Sequence, residues 1–292
     1  MTDSSIPQTI ESCGFCCAEE VEKLQVMKAG MTNRSYSFYV QDKRYIIRIP
    51  GEGTEQLINR AQEHEVYRMV SPLGISEHVH YFDPVSGIKI ASYLENAHAC
   101  DSSSQDNVQK CMTALRSFHC QRLHVAHNFD LWERFDFYES LWQGVPSCYA
   151  DYQKVKRVVL SLRGYIDAVP DNFMFVTGKD GKEEIKLIDW EYAGMQDPHL
   201  DIAMFAVYAM YDRQQVDNLI DLYFPEDCDH PTRMKIYCYI AVSGLLWSNW
   251  CEFKRHCGVE FGVYAQRQYD YAKEYSAIFL EEYRKEFGRD YV

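Results

Sequence analysis

The chain has 292 residues, of which 47% are hydrophobic and 25% are charged, and its formal net charge at pH 7 is -13. A chain of this length can bury a large core, as one big domain or as two lobes. The acidic balance argues against nucleic acid as a partner, because phosphate backbones select basic surfaces. It suits a cationic small substrate, although an acidic surface more often serves solubility alone.

The N-terminal residues and the cysteines bear on the compartment. The first fifteen residues lack a basic flank followed by an apolar run, and no stretch approaches the roughly 18 apolar residues of a membrane span, so we expect neither a signal peptide nor a span. Eleven scattered cysteines indicate reduced thiols rather than a disulfide framework. Cys13 and Cys16 form a Cys-x-x-Cys pair, but no second pair completes a zinc site. We therefore predict a cytoplasmic protein.

The first third of the chain is predicted to be rich in strands. A short helix is expected at residues 18–24, and a second helix opens at residue 59. The predicted strands are residues 26–28, 37–40, 44–51, 79–82 and 88–94. The Asp-Pro-Val-Ser-Gly sequence between the last two strands is a strong hairpin signal.

The hydrophobic pattern becomes helical after Glu95. Apolar residues recur at spacings of three and four in residues 108–124, 131–142 and 149–166, then in a buried helix at 202–208 and two long helices after residue 230. The change predicts a boundary between a sheet-rich lobe of residues 1–95 and a helical lobe of residues 96–292. A cleft between two lobes is a common place for a ligand.

Two acidic motifs flank a predicted hairpin in the second half of the chain. Strands at residues 173–176 and 185–188 would bring Asn172 close to Asp189. Amide and carboxylate oxygens suit a magnesium ion that keeps substrate phosphates among its ligands. Asp167, five residues before Asn172, would accept the proton of an attacking hydroxyl in phosphoryl transfer. Solvated loop acids are the alternative for the Asp-x-x-x-x-Asn run taken alone, and the hairpin and second aspartate argue against it.

An arginine lies within an apolar strand near the N-terminus. Arg48 requires an anionic partner if it is buried, either a protein carboxylate or a nucleotide phosphate. Glu63, on the following helix, is the candidate carboxylate. The alternative is an edge strand on which Arg48 faces water. The preceding turn, with Thr32 and Asn33, has a small-residue sequence whose backbone amides can close over phosphates, although such turns are also common in hairpins.

Aromatic residues accumulate in the last two predicted helices. Trp247 and Trp250 lie about one helical turn apart, and Tyr264 begins a series of tyrosines on the final helix. Aromatic residues at helical spacing are usually core. Their rings can also stack around a quaternary ammonium, with about 0.5–2 kcal/mol for each ring.

The order of these motifs resembles the choline/ethanolamine kinase family, within the aminoglycoside phosphotransferase and protein kinase-like superfamily. The resemblance extends over about residues 26–275. The matching motifs are residues 30–33, 45–51, 58–63, 167–172 and 188–192. It implies a two-lobed, protein kinase-like α+β fold, with a small antiparallel-sheet N-lobe that binds the nucleotide. The large helical C-lobe would carry the catalytic and substrate-binding residues.

The resemblance also implies a role for each matching residue. Asp167 would be the catalytic base, and Asn172 and Asp189 would be the magnesium ligands. The residues implied at ATP are Thr32, Asn33, Arg48 and Glu63, the last of which holds Arg48. The residues implied at the substrate are Glu191, Tyr192, Trp247, Trp250 and Tyr264. The implied reaction is the phosphorylation of choline or ethanolamine by ATP and Mg²⁺, and the two tryptophans favour choline, with phosphocholine as the product.

The approach to the catalytic motif departs from the family pattern. Tyr165 stands where the family has the histidine of His-x-Asp, and little sequence is left for the strand that usually precedes it. Two alternatives therefore remain open. One is a kinase for an aminoglycoside or another amino-alcohol, with an acid-lined pocket. The other is a pseudokinase that binds its ligands without turnover. The sequence does not predict the oligomeric state.

Overall fold

The structure is a computed structural model and describes residues 5–27, 33–51, 54–142, 144–165, 173–177 and 183–291. The chain divides into two compact units by its internal contacts. The first comprises Met1–Cys100 and Asn172–Ala193, and the second comprises Asp101–Asp171 and Gly194–Val292. The predicted domain boundary at Glu95 stays a prediction.

The first unit is built on a five-stranded antiparallel sheet. Its strands are β1 (Glu22–Val26), β2 (Asn33–Val40), β3 (Lys43–Pro50), β4 (Val79–Phe82) and β5 (Lys89–Ser92). Their order across the sheet is β1-β2-β3-β5-β4. Among its described residues, this unit contains the α-helices α1 (Ile6–Ser12) and α2 (Arg60–Val70). Asn59 directly precedes helix α2, and its side chain caps the helix by accepting hydrogen bonds from the backbone of Ala61 and Gln62.

The alternation of side chains along β3 separates a core face from a charged face. Ile47 is paired with Tyr36 on β2 and with Ile90 on β5, and all three pack in one buried cluster with Ile10 of α1. Arg48 is the next residue, so its side chain points to the opposite face. The strand therefore directs a guanidinium group away from the apolar cluster.

The predicted helix at residues 18–24 is wrong. The structure has a single 3₁₀ turn at Ala18–Glu20, followed by the strand β1. The strand pairs with β2 through Glu22 with Tyr39 and Val26 with Tyr36. Pairing at the sheet edge therefore decides the structure of a segment whose residues favour a helix on local propensity.

A second sheet carries the predicted hairpin. It consists of β6 (Ala97–Ala99), β7 (Phe173–Thr177) and β8 (Glu183–Leu187), in the order β6-β7-β8. Strands β7 and β8 are antiparallel, with Phe173 opposite Leu187, which confirms the hairpin. Asn172 lies outside the described residues, so its predicted approach to Asp189 stays a prediction.

The described part of the second unit is helical. Its helices are α3 (Gln105–Cys120), α4 (Leu131–Ser140), α5 (Tyr152–Ser161), α6 (His199–Tyr208), α7 (Arg213–Tyr223), α8 (His230–His256) and α9 (Val263–Phe287). His119 joins three of them, because its Nε2 lies 2.7 Å from Asp201 of α6 and its Nδ1 lies 2.8 Å from the hydroxyl of Tyr223 on α7. In the parts of the chain that the structure describes, no helix is long and apolar enough to cross a membrane.

Gly244 permits the close packing of α8 against α9. A Cβ atom at Gly244 would lie 2.6 Å from the carbonyl oxygen of Gln268 and 2.7 Å from Cβ of Tyr271. We expect Gly244→Ala to destabilise the protein by about 1–3 kcal/mol through overpacking, which exceeds the helix-propensity gain of about 1 kcal/mol. Thermal denaturation should show a melting temperature several degrees lower.

The neighbouring variant Ser243→Ala is the control for Gly244→Ala. Ser243 is also fully buried, and the change removes an atom without adding one. We expect its melting temperature to equal or exceed that of the wild type. An unchanged melting temperature for Gly244→Ala would show that the two helices do not need a glycine there.

Candidate active site

Arg48 forms a buried, two-point ion pair with Glu63. NH1 of Arg48 lies 2.5 Å from Oε1 of Glu63, and NH2 lies 2.9 Å from Oε2. Arg48 is 5% exposed and Glu63 is 1% exposed. Burial disfavours the charge on Arg48, but Glu63 outweighs it and raises the pKa of the guanidinium. The predicted pairing of Arg48 with Glu63 is therefore present, and the edge-strand alternative does not describe this arginine.

A second arginine, Arg60, widens the pair into a charge cluster. Its NH1 lies 2.8 Å from Glu63 and 2.7 Å from Glu191, and its NH2 donates to Oδ1 of Asn33 at 3.1 Å. Asn33 in turn donates to Glu191. We call Asn33, Arg48, Arg60, Glu63, Asp189 and Glu191 the charge cluster. Burial opposes ionisation of Glu191, but Arg48 and Arg60 outweigh it and lower its pKa.

Asp189 adds a third carboxylate to the charge cluster. One of its oxygens lies 3.8 Å from NH1 of Arg48, and 45% of its side-chain surface is exposed, whereas Glu63 and Glu191 are almost completely buried. One of its two carboxylate oxygens, Oδ1, is buried, and this burial together with the nearby Glu191 raises the pKa of Asp189, although Arg48 opposes the shift. The backbone φ of Asp189 is +65°, a left-handed conformation that aspartate and asparagine adopt more readily than most other residues. The turn thus fixes the direction of this side chain.

A polar network fixes the residue after Asp189. Trp190 donates its indole N–H to the Ser76 hydroxyl at 3.2 Å, and Ser76 donates to Glu77 at 2.6 Å. Lys89 lies 2.6 Å from Glu77, and the Tyr67 hydroxyl donates to Glu77 at 2.8 Å. Lys89 is the strand partner of Arg48. The buried Glu77 therefore offsets a second positive charge next to Arg48.

Three predicted substrate residues lie in one aromatic set in the second unit. The ring centroids of Trp247 and Trp250 are 5.9 Å apart, and Phe261 lies 5.0 Å from Trp250 and 6.3 Å from Tyr264. Tyr208 belongs to the same set, because its ring centroid lies 5.3 Å from that of Trp247 and 6.5 Å from that of Tyr264. Trp247 and Trp250 are 4% and 1% exposed. The other three rings are half-buried, so part of their aromatic surface is exposed, whereas the two indoles are buried.

Of the remaining predicted site residues, two lie in the first unit and three lie outside the described residues. Glu191 and Tyr192 lie in the first unit, where Glu191 contacts two guanidinium groups and Tyr192 is half-buried. Thr32, Asp167 and Asn172 lie outside the described residues, so their placement stays a prediction. The predicted contact of Glu191 with the cationic head of a substrate also stays a prediction.

The sequence prediction assigned no role to Arg60. A signal existed, because Arg60 lies three residues before Glu63, and residues at this spacing share a helix face. The aromatic residues Tyr208 and Phe261 were missed as well. Tyr208 ends an apolar helix and Phe261 lies in a loop, so neither position follows the helical spacing of the two tryptophans.

The chain is similar to known proteins in both sequence and structure. The sequence model of the choline/ethanolamine kinase family matches residues 24–222. Protein LicA of Haemophilus influenzae is 28% identical over 269 residues, which cover 83% of this chain and 77% of the relative. The crystal structure of choline kinase LicA from Streptococcus pneumoniae is similar with a TM-score of 0.77 and 30% identity, over 94% of this chain and 99% of that chain. A structure of LicA in complex with AMP has a TM-score of 0.76 and 30% identity, over 94% and 98% of the two chains.

These likenesses confirm the predicted protein kinase-like α+β fold and the predicted class of enzyme, a kinase-like phosphotransferase. The chain belongs to the choline/ethanolamine kinase family. The resemblance stated from the sequence motifs is thereby confirmed.

Proposed function

We propose that the protein binds ATP and magnesium and transfers the γ-phosphate to the hydroxyl of choline, giving ADP and phosphocholine. The observation that carries the proposal is the buried two-point ion pair of Arg48 with Glu63. Nη1 of Arg48 also lies 3.8 Å from Oδ1 of Asp189. In phosphoryl transfer the protein contributes positioning and charge stabilisation more than covalent chemistry. A fixed guanidinium beside an accessible carboxylate is suited to that task.

Arg48 is proposed to contact the phosphates of the nucleotide. Its charge is secured by Glu63, and the positive charge of a guanidinium attracts phosphate oxygens. Asn33 lies at the start of β2 and belongs to the same cluster as Arg48, and we propose that it lies over the phosphates together with Thr32. The AMP complex of LicA supports nucleotide binding by this fold.

The charge cluster fits a divalent cation. One carboxylate oxygen from each of Glu63, Asp189 and Glu191 lies within 4.8 Å of the other two. These three carboxylates meet two guanidinium groups, from Arg48 and Arg60, which leaves a negative charge in excess. Glu63 forms ion pairs with both arginines, whereas part of the Asp189 side chain is exposed to solvent. We therefore propose Asp189, with Asn172, as the magnesium ligands, and a bound magnesium ion would offset the phosphate charge.

The reaction requires a group that accepts the proton of the acceptor hydroxyl. The hydroxyl oxygen attacks the γ-phosphorus, the bond from that phosphorus to the bridging oxygen breaks, and ADP leaves with the electron pair. We propose Asp167 as the proton acceptor, on the match of its motif to the family. Tyr165 would then be tolerated in place of the usual histidine.

The aromatic set supports a quaternary ammonium as the acceptor's head group. Trp247 and Trp250 meet at nearly right angles, and Tyr208, Phe261 and Tyr264 are half-buried beside them. Such rings attract a cation without donating or accepting hydrogen bonds at their faces. A primary ammonium gains more from hydrogen-bond acceptors, so we propose choline over ethanolamine. Because ATP is the donor, a cytoplasmic location remains our prediction.

A comparison of three acceptors tests this proposal. We expect kcat/KM for choline to exceed that for ethanolamine by at least about 10-fold, since tenfold corresponds to about 1.4 kcal/mol of discrimination, within the range of several cation–π contacts. ADP release should be measured separately with choline, ethanolamine and an aminoglycoside at fixed magnesium-ATP. A preference for the aminoglycoside would favour the alternative of an aminoglycoside kinase. Nucleotide binding without release for any acceptor would favour a pseudokinase.

A further inference from the structure

The base of the hairpin between β4 and β5 contacts the charge cluster. The backbone N–H of Asp83 donates to Ile88 at 2.9 Å, and that of Gly87 donates to Asp83 at 2.8 Å, so the turn is closed at its base. The tip at Val85 is 90% exposed, whereas Gly87 is buried. The carbonyl oxygen of Gly87 accepts a hydrogen bond from NH2 of Arg48 at 3.3 Å. A surface turn thus contacts the arginine that we propose for the phosphates.

Gly87 also leaves the space that the side chain of Arg60 fills. A Cβ atom at Gly87 would lie 2.7 Å from Nε and 2.8 Å from Cδ of Arg60, and 2.9 Å from Cγ of Pro50. The Arg60 side chain is not free to move aside, because its guanidinium is held by Glu63, Glu191 and Asn33. Any side chain at Gly87 would therefore disturb these contacts.

Arg60 connects two segments that are far apart in the sequence. Asn33 begins β2 and is the last residue of the predicted phosphate-binding turn, residues 30–33, which we call the phosphate loop. Glu191 follows Asp189 by two residues. The guanidinium of Arg60 donates hydrogen bonds to the side chains of both Asn33 and Glu191. Glu63 forms ion pairs with both Arg60 and Arg48. The position of Arg60 thus bears on the phosphate loop, on the segment of Asp189 and on Arg48 together.

We propose that Arg60 is a positioning residue for nucleotide phosphates and that the hairpin at Asp83–Ile88 holds it in place through Gly87. This inference rests on the proposed use of Arg48 and Asp189 in ATP binding. Arg60 acts through Asn33, Glu191 and Glu63, and its loss loosens the groups that surround the triphosphate. Small displacements of such groups are costly, since a shift of about 1 Å can lower a rate by about 100-fold.

The test compares two glycine-to-alanine variants. Gly87→Ala adds a methyl group against Arg60, whereas Gly14→Ala adds one where no atom lies within 4 Å. Their φ angles are +73° and +68°, so both variants carry a similar backbone strain. Isothermal titration calorimetry gives the dissociation constant for magnesium-ATP, and steady-state kinetics give KM for ATP and for choline. Melting temperatures report the strain.

We expect Gly87→Ala to weaken magnesium-ATP binding by about 10-fold or more, with KM for choline almost unchanged, and Gly14→Ala to leave both at wild-type values. Similar melting temperatures for the two variants would show that strain alone does not cause the loss. Equal ATP affinities for Gly87→Ala and Gly14→Ala would overturn the proposal.

A double-mutant cycle with Arg60→Ala asks whether Arg60 transmits the effect. With the Arg60 side chain removed, a methyl group at residue 87 has no guanidinium to displace, so Gly87→Ala should add little further loss of ATP affinity. An undiminished loss in the Arg60→Ala background would contradict the proposal. If Arg60→Ala fails to fold, the comparison of the two glycine variants decides alone. ATP affinity is measured without choline, so the proposal stands or falls separately from the choline assignment.

Discussion

Asp189→Asn is expected to lower kcat/KM by at least about 100-fold, the size of effect seen when a fixed charge-stabilising group is removed from an active site. Asparagine keeps the shape of the side chain and tolerates the left-handed φ of +65° that Asp189 adopts. The folded structure should therefore survive the change. What is lost is the negative charge that we propose for magnesium, so the variant should also require more magnesium to reach its maximal rate.

A surface aspartate provides the control for this change. Asp106 has a side chain that is 72% exposed and pairs with Lys110 on α3. Asp106→Asn should leave both the rate and the magnesium requirement at wild-type values, because an exposed ion pair contributes little. Wild-type turnover and an unchanged magnesium dependence in Asp189→Asn would remove Asp189 from the proposed metal site.

Trp250→Leu is expected to raise KM for choline by about 10-fold or more, with KM for ATP changed by less than about 2-fold. Leucine keeps apolar bulk but removes the ring face that attracts a quaternary ammonium. Trp250 is 1% exposed, so the variant will also lose stability through imperfect packing. Steady-state kinetics with each substrate varied in turn separate the two effects.

Trp142→Leu is the matched control for Trp250→Leu. Trp142 is also buried, lies in the second unit and packs edge-to-face on Tyr152, at a ring distance of 5.4 Å. It should lose a similar amount of stability while keeping KM for choline close to the wild-type value. Equal increases in KM for choline and for ATP in Trp250→Leu would indicate that Trp250 contributes only to the packing of the core.

Local pattern predicted the pair of Arg48 with Glu63 and the hairpin of β7 with β8. An arginine in an apolar strand needs a carboxylate, and the next helix offered Glu63 at its start. The turn sequence between two short apolar runs was enough for the hairpin, since its strands are adjacent in the sequence. Both features depend on residues close together along the chain, where propensity and spacing carry the information.

Contacts between distant segments were beyond the sequence pattern. Arg60 and Glu191 are separated by 131 positions, and no periodicity relates them. The same holds for Tyr208 beside Trp247 and for Gly87 beside Arg60. The predicted strand at residues 26–28 overlaps β1 only at Val26, because β1 is an edge strand whose structure depends on pairing with β2 rather than on its own residues.

The most direct test of the account is the identity of the phosphorylated product. The purified protein should be incubated with magnesium-ATP and choline, and the products followed by phosphorus NMR. We predict a phosphomonoester signal that coincides with authentic phosphocholine and grows in equal amount with ADP. Unchanged ATP in a protein that still binds it, or ADP that forms without phosphocholine, would contradict the assignment of this chain as a choline kinase.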